Sequence, residues 1–128
     1  MMAIKELLLN LYSIGMKYTI DSKGKKMGRV AAEAASILMG KNSTLFARNV
    51  APVVEVKIIG TNNIEISEKK LLQKRYARYS GYPGGLRYET LEHLISKKGK
   101  KEALRSMIYG MLPKNKLRSR MIKNLKIE

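Results

Sequence analysis

An α/β domain built on a small sheet is what this sequence predicts, and three stretches predict it. Tyr18 to Asp21 is a short β-favouring run, and GRVAAEAASILM from Gly28 to Met39 switches to helical spacing. VVEVKII from Val53 to Ile59 then returns to a β-branched, partly alternating pattern. Strand, helix, strand in that order is the layering of an α/β fold. The chain has 128 residues, of which 45% are hydrophobic, so one domain with a real core is expected.

The elements follow in chain order. Residues 1–16 read as an N-terminal extension, and 17–128 as a single domain. In the extension, Ile4, Leu7, Leu8 and Leu11 recur at helical spacing, which predicts a short amphipathic helix over 3–13 that packs or faces a partner. After the first strand comes a polar turn, Ser22 to Lys26, containing Gly24. In the helix that follows, Val30, Ala31, Ala34, Ala35 and Leu38 share one face whose small residues allow close approach to a sheet, and Gly40 supplies the stop. Beyond the second strand, Thr61-Asn62-Asn63 gives turn chemistry, and Ile64 to Ser67 and Lys74 to Tyr79 read as further short strands. Thr90 caps a helix through Leu91, Leu94 and Ile95, which ends in the basic linker Lys97 to Lys101. Leu104, Met107, Ile108, Met111 and Leu112 form the apolar face of another helix, which Pro113 breaks. Leu117, Met121 and Leu125 then line one side of a basic C-terminal helix.

Charge narrows the function. Twenty-six Lys and Arg against ten Asp and Glu give a net charge of +16, which points to a polyanionic partner, nucleic acid or an acidic membrane face. The excess is uneven: residues 1–68 carry a net +3 and residues 69–128 a net +13. The absence of cysteine excludes disulfides and thiolate metal sites and suits a reducing compartment. The opening MMAIKELLLNLYSIGMK does not read as a signal peptide, because Glu6 precedes its apolar run, Asn10 breaks it and no small-residue cleavage site follows. No apolar run is long enough to span a membrane.

Catalytic chemistry is hard to find. The single histidine, His93, has no triad around it, the ten acids are scattered, and metal ligands are too few. No catalytic residue, metal or cofactor is expected. The glycines at 24 and 28 lack dinucleotide-binding spacing, and Gly40-Lys41-Asn42 lacks the hydroxyl of a phosphate loop. Lys23, Lys25, Lys26 and Arg29, however, surround a turn entering a helix, where free backbone N–H groups favour phosphate oxygens.

The stretch from Lys74 to Glu89, KRYARYSGYPGGLRYE, favours RNA. Lys74, Arg75, Arg78 and Arg87 neutralise phosphates, while tyrosines such as Tyr82 stack on unpaired bases or pack inward. Alternation in the strand turns Tyr76 and Tyr79 to opposite faces, so one of them is expected to point into the core. Pro83 pre-sets φ for position i+1 of a turn, Gly84 accepts positive φ at i+2, and Gly85 keeps the surface bare for close approach. Lys116, Arg118, Arg120 and Lys123 project from the C-terminal segment as a second basic surface.

Three blocks then carry a resemblance: IDSKGKKMGRVA from Ile20 to Ala31, YSGYPGGL from Tyr79 to Leu86, and YGMLPKNKL from Tyr109 to Leu117, with LKI at Leu125 to Ile127. In order and spacing they resemble the L-thirteen family of large-subunit ribosomal proteins in its bacterial form, over about residues 17–127. The resemblance implies a non-enzymatic protein with a three-layer α/β/α domain, a small, mainly parallel sheet and a basic helical C-terminus. It also implies a cytoplasmic place in the ribosome, binding to large-subunit ribosomal RNA early in assembly, and neighbouring large-subunit ribosomal proteins as partners, with no membrane and no small-molecule substrate. The matching positions are Gly24, Lys25, Gly28, Arg29, Lys41, Ser80 to Gly85, Lys114 and Asn115. The chain departs from the pattern at Lys17-Tyr18, where the family has Trp-Tyr, and at Asn49 to Val54, where it has His-Val-Asp-Thr-Gly-Asp. It departs again at Lys116 to Arg120, where the arginines are displaced by one place each way. The family's histidine-containing tail has no counterpart up to Glu128, so its contacts are not carried over. Two rivals remain on the residues alone: a small nucleotide-using enzyme, and a membrane-surface protein using the basic C-terminal helix.

Overall fold

The computed structural model describes residues 16–44 and 46–128. The helix expected over 3–13 lies outside them. Strand β1 (Met16–Asp21) leads into helix α1 (Met27–Leu38), which returns the chain to strand β2 (Val54–Ile59). β1 and β2 pair in parallel, Ile20 opposite Ile58. A crossover helix is the usual way to bring two parallel strands side by side.

Helix α1 forms where the sequence predicts it. Val30, Ala31, Ala34, Ala35 and Leu38 are all buried, together with Met27 and Ile37. Its end is a Schellman motif: Gly40 adopts φ +81°, its N–H donates to the Ile37 carbonyl, and the Lys41 N–H reaches back to Ser36. Glycine is required there twice over, since a Cβ would also lie 3.0 Å from Pro52.

A short 3-10 turn, Thr61–Asn63, follows β2. Ile64 to Ser67, expected as a strand, makes only one bridge, Glu65 beside Lys26. The next element escaped the sequence reading altogether. It is helix α2 (Glu68–Gln73), started by the Ser67 hydroxyl accepting the Lys70 N–H.

Strands β3 (Arg75–Tyr79) and β4 (Leu86–Thr90) form an antiparallel ribbon separate from the main sheet. Helix α3 (Leu91–Lys98) starts as expected, with the Thr90 hydroxyl accepting the His93 N–H. The supposed linker is mostly helical: only Gly99, at φ +92°, separates α3 from helix α4 (Lys100–Met111). α4 packs along α1 and buries Ala103, Leu104, Met107 and Ile108, while Met111 is exposed.

The C-terminal segment departs from expectation in its last residues. Helix α5 (Arg118–Lys123) stops before Leu125, and Leu125–Ile127 becomes strand β5, parallel to the far side of β2. Leu125 is therefore buried as a strand residue rather than on a helix face.

The result is an α/β domain on a small parallel sheet of order β1-β2-β5. Ile20, Val54, Val56, Ile58 and Leu125 face a core shared with α1, α4 and Met121 of α5. The opposite sheet face is polar. It carries Lys17, Thr19, Asp21, Glu55, Lys57 and Lys126, tied by Lys57–Glu128 at 3.0 Å and Lys126–Glu55 at 3.9 Å.

Candidate nucleic-acid interface

Parallel pairing puts the β1–α1 turn at the carboxyl end of the sheet, and α1 carries the chain back to the amino end. The expected RNA-binding residues therefore fall into three patches rather than one. Lys23, Lys25, Lys26 and Arg29 lie at the carboxyl end, Lys41 and the 114–123 residues at the amino end. Lys74, Arg75, Arg78, Tyr82, Gly84, Gly85 and Arg87 are on or beside the ribbon.

At the carboxyl end the backbone is tied down. Ser22 donates from both its N–H and its hydroxyl to the Ile59 carbonyl, at 3.0 and 2.6 Å. The Lys23 N–H donates to Asp21 Oδ1, Gly24 to the Asn63 carbonyl, Lys25 to Ser22, Met27 to Glu65 and Arg29 to Lys26. Fewer N–H groups are free at this turn than expected: these five donors are committed internally. The lysine and arginine side chains, all exposed, supply the charge instead. A further cation joins them. Lys70 of α2 projects over the start of α1, where its Nζ would lie 3.3 Å from a Cβ at Gly28, and it contacts the Met107 sulfur at 3.9 Å. Sequence reasoning missed Lys70 because it missed α2.

The ribbon stands out from the core. In its register Ala77 faces Tyr88, and Tyr79 faces Leu86. On that side Tyr79 is 67% exposed, Leu86 53% and Tyr88 64%. The other side holds Tyr76, Arg78, Arg87 and Glu89. Tyr76 is the inward tyrosine: it packs against the core, its hydroxyl is buried without a hydrogen-bond partner among the described residues, and burial pushes its pKa up. Lys74 lies 5.7 Å from its ring centre. Tyr82, at the tip, is 75% exposed.

The turn has the geometry the sequence predicts. The Gly85 N–H donates to the Tyr82 carbonyl at 3.0 Å, and Gly84 takes φ +74° behind Pro83. Gly84 has open space where a Cβ would be, whereas at Gly85 a Cβ would collide with the Ser80 side chain and lie 2.9 Å from the Tyr82 carbonyl. Gly85 is therefore bare so that its own loop can close, a role beside the expected one of leaving room for a ligand.

The arginines differ from each other. Arg78 reaches Glu89 Oε2 at 3.1 Å, and Glu89 Oε1 lies 2.6 Å from His93 Nδ1. Only 10% of the Glu89 side chain is exposed. Arg87, opposite Arg78, makes no ion pair among those found in the described residues. The hydrogen bond from His93, with the charges of Arg78, His93 and Lys97, outweighs partial desolvation and holds the Glu89 carboxyl below its usual 4.5. A depressed carboxylate pKa contributes stability above 4.5 that is lost as pH falls through the lower folded value. Glu89→Gln should therefore cost ribbon stability above that pH. The difference from wild type should shrink in more acidic buffer, read by amide hydrogen exchange across β3 and β4.

At the amino end, Asn115 shapes the turn between α4 and α5. Its side-chain oxygen accepts the Leu117 N–H at 3.1 Å, and its own N–H donates to the Pro113 carbonyl at 2.9 Å. Arg118 is half-buried, its guanidinium stacked 4.0 Å from the Tyr109 ring centre. Lys114, Lys116, Arg120 and Lys123 are exposed. Lys41 and Asn115 come together with Phe46, Arg48, Pro113 and Met121 around one groove. Phe46 and Arg48 were not singled out by sequence, since the loop that carries them has no periodicity.

Groups of acids, cysteines and histidines able to hold a metal are absent among the described residues, and none of the helices described is long and apolar enough to cross a membrane. Known proteins supply the remaining comparison. Residues 16–127 match the family described as Ribosomal protein L13. A protein of Pelotomaculum thermopropionicum named Large ribosomal subunit protein uL13 is 44% identical over 110 residues, 86% of this chain and 76% of its own length. Proteins of the same name from Natranaerobius thermophilus and Clostridioides difficile are 42% and 40% identical, each over 86% of this chain and 76% of theirs.

Proposed function

The chain belongs to the ribosomal protein L13 family, and on that premise we propose that it binds large-subunit ribosomal RNA and supports early subunit assembly and translation. Its role in the ribosome is structural rather than enzymatic. The ribbon carries this reading: Arg78 and Arg87 sit side by side on strands whose other face and tip expose Tyr79, Tyr88 and Tyr82 to solvent. Cations hold phosphates, and tyrosine rings offer stacking surfaces to unpaired bases. The lysines of the β1–α1 turn and of residues 114–123 extend the contact at the two ends of the sheet. Neighbouring large-subunit ribosomal proteins are the other partners.

Arg87→Ala is the cleaner test, because Arg78 is already paired with Glu89. Binding to large-subunit ribosomal RNA should weaken, and the slope of log affinity against log salt should fall by about one contact. Unchanged, salt-independent affinity would sink the phosphate role of the ribbon. Sedimentation with anionic vesicles, but not with ribosomal subunits, would overturn the whole reading in favour of a membrane surface.

A further inference from the structure

We propose that the groove at the amino end of the sheet receives one unstacked nucleobase extruded from the bound RNA. This inference rests on the RNA-binding reading above and gives it a specific receptor. The groove has a volume of about 380 Å³, in the range of small-ligand sites at roughly 300–1,000 Å³. Met121, 4% exposed, lines it, and Pro113 and Phe46 supply apolar and aromatic wall. Phe46 is 44% exposed. Lys41 and Arg48, both exposed, supply positive charge at the same opening.

An aromatic wall with cations beside it matches a base whose ribose-phosphate runs along the rim. Asn115 adds direction. Its side-chain oxygen accepts the Leu117 N–H, which fixes the orientation of the amide whose nitrogen can donate to a base acceptor. A free nucleotide fits less well. The Gly40 and Lys41 N–H groups are spent on Ile37 and Ser36 and do not serve a phosphate there. The affinity must come from the rest of a polymer.

The chain contains no tryptophan, so Phe46→Trp places a single reporter in the groove. Short single-stranded oligouridylate should quench it at saturation. An abasic ribose-phosphate oligomer of the same length should bind through charge without quenching, and uridine monophosphate should do neither. Phe46→Ala should lose about 5- to 150-fold in oligouridylate affinity, the usual range for one stacked base. Phe46→Tyr should retain it, with melting temperatures unchanged for all three variants. Bound oligouridylate without quenching, equal quenching by the abasic oligomer, or full affinity in Phe46→Ala would overturn the proposal. If instead the wild-type protein binds neither oligouridylate nor ribosomal RNA, the RNA reading itself falls.

Discussion

Gly85→Val should reduce affinity for large-subunit ribosomal RNA by about tenfold to a hundredfold, the scale of one or two lost contacts, while shifting the stability of the core by less than about 0.5 kcal/mol. The reason is local. Any Cβ at Gly85 runs into Ser80 and the Tyr82 carbonyl, so the loop must open and the Gly85–Tyr82 hydrogen bond is lost. Tyr82 and Arg87 then leave their places relative to each other. The ribbon contributes little to the main core, so the melting transition should barely move. Gly84→Ala is the milder comparison for the loop: its Cβ meets no neighbour, and only the local strain of positive φ remains. Filter binding and thermal melts on both variants decide the matter. Equal loss of binding and of melting temperature in Gly85→Val would mean that the ribbon is part of the folding core.

Leu104→Ala should have the opposite signature. Leu104 is fully buried on the stripe of α4 that packs along α1, and such truncations cost about 2–5 kcal/mol. Domains of this kind have only about 5–15 kcal/mol in total, so the melting temperature should fall by about 10 °C or more. RNA affinity of the molecules that remain folded at low temperature should be unchanged. Urea denaturation gives the stability, and a loss below about 1 kcal/mol would contradict the packing described.

The elements legible in the sequence are those whose side chains face two different environments. α1 buries one stripe and exposes another, so its period is written plainly, and β2 alternates at Val54, Val56 and Ile58. β4 left no such trace, because Leu86 and Tyr88 are exposed along with Arg87. α2 has only six residues and buries none of them fully. Leu125 misled for a different reason: its spacing from Leu117 and Met121 is helical, but the chain leaves the helix at Asn124 and pairs with β2. The site was legible as composition, not as geometry. RYARYSGYPGGLRYE announces cations, aromatic rings and a turn. That Arg78 is held by Glu89 depends on a strand pairing that only the fold supplies, and the groove at Phe46 joins a loop to residues far along the chain.

The polar face of the sheet has an electrical consequence. Lys17, Lys57 and Lys126 there are matched by Asp21, Glu55 and Glu128, two of the three lysines in direct ion pairs. That side of the molecule is close to neutral, although the chain carries +16. The excess positive charge is therefore displaced to the rest of the surface, and the protein is a dipole as well as a polycation. In the field of a polyanion such a body feels a torque before it makes any contact. A body turned by that torque would approach a polyanion with the neutral sheet face away from it.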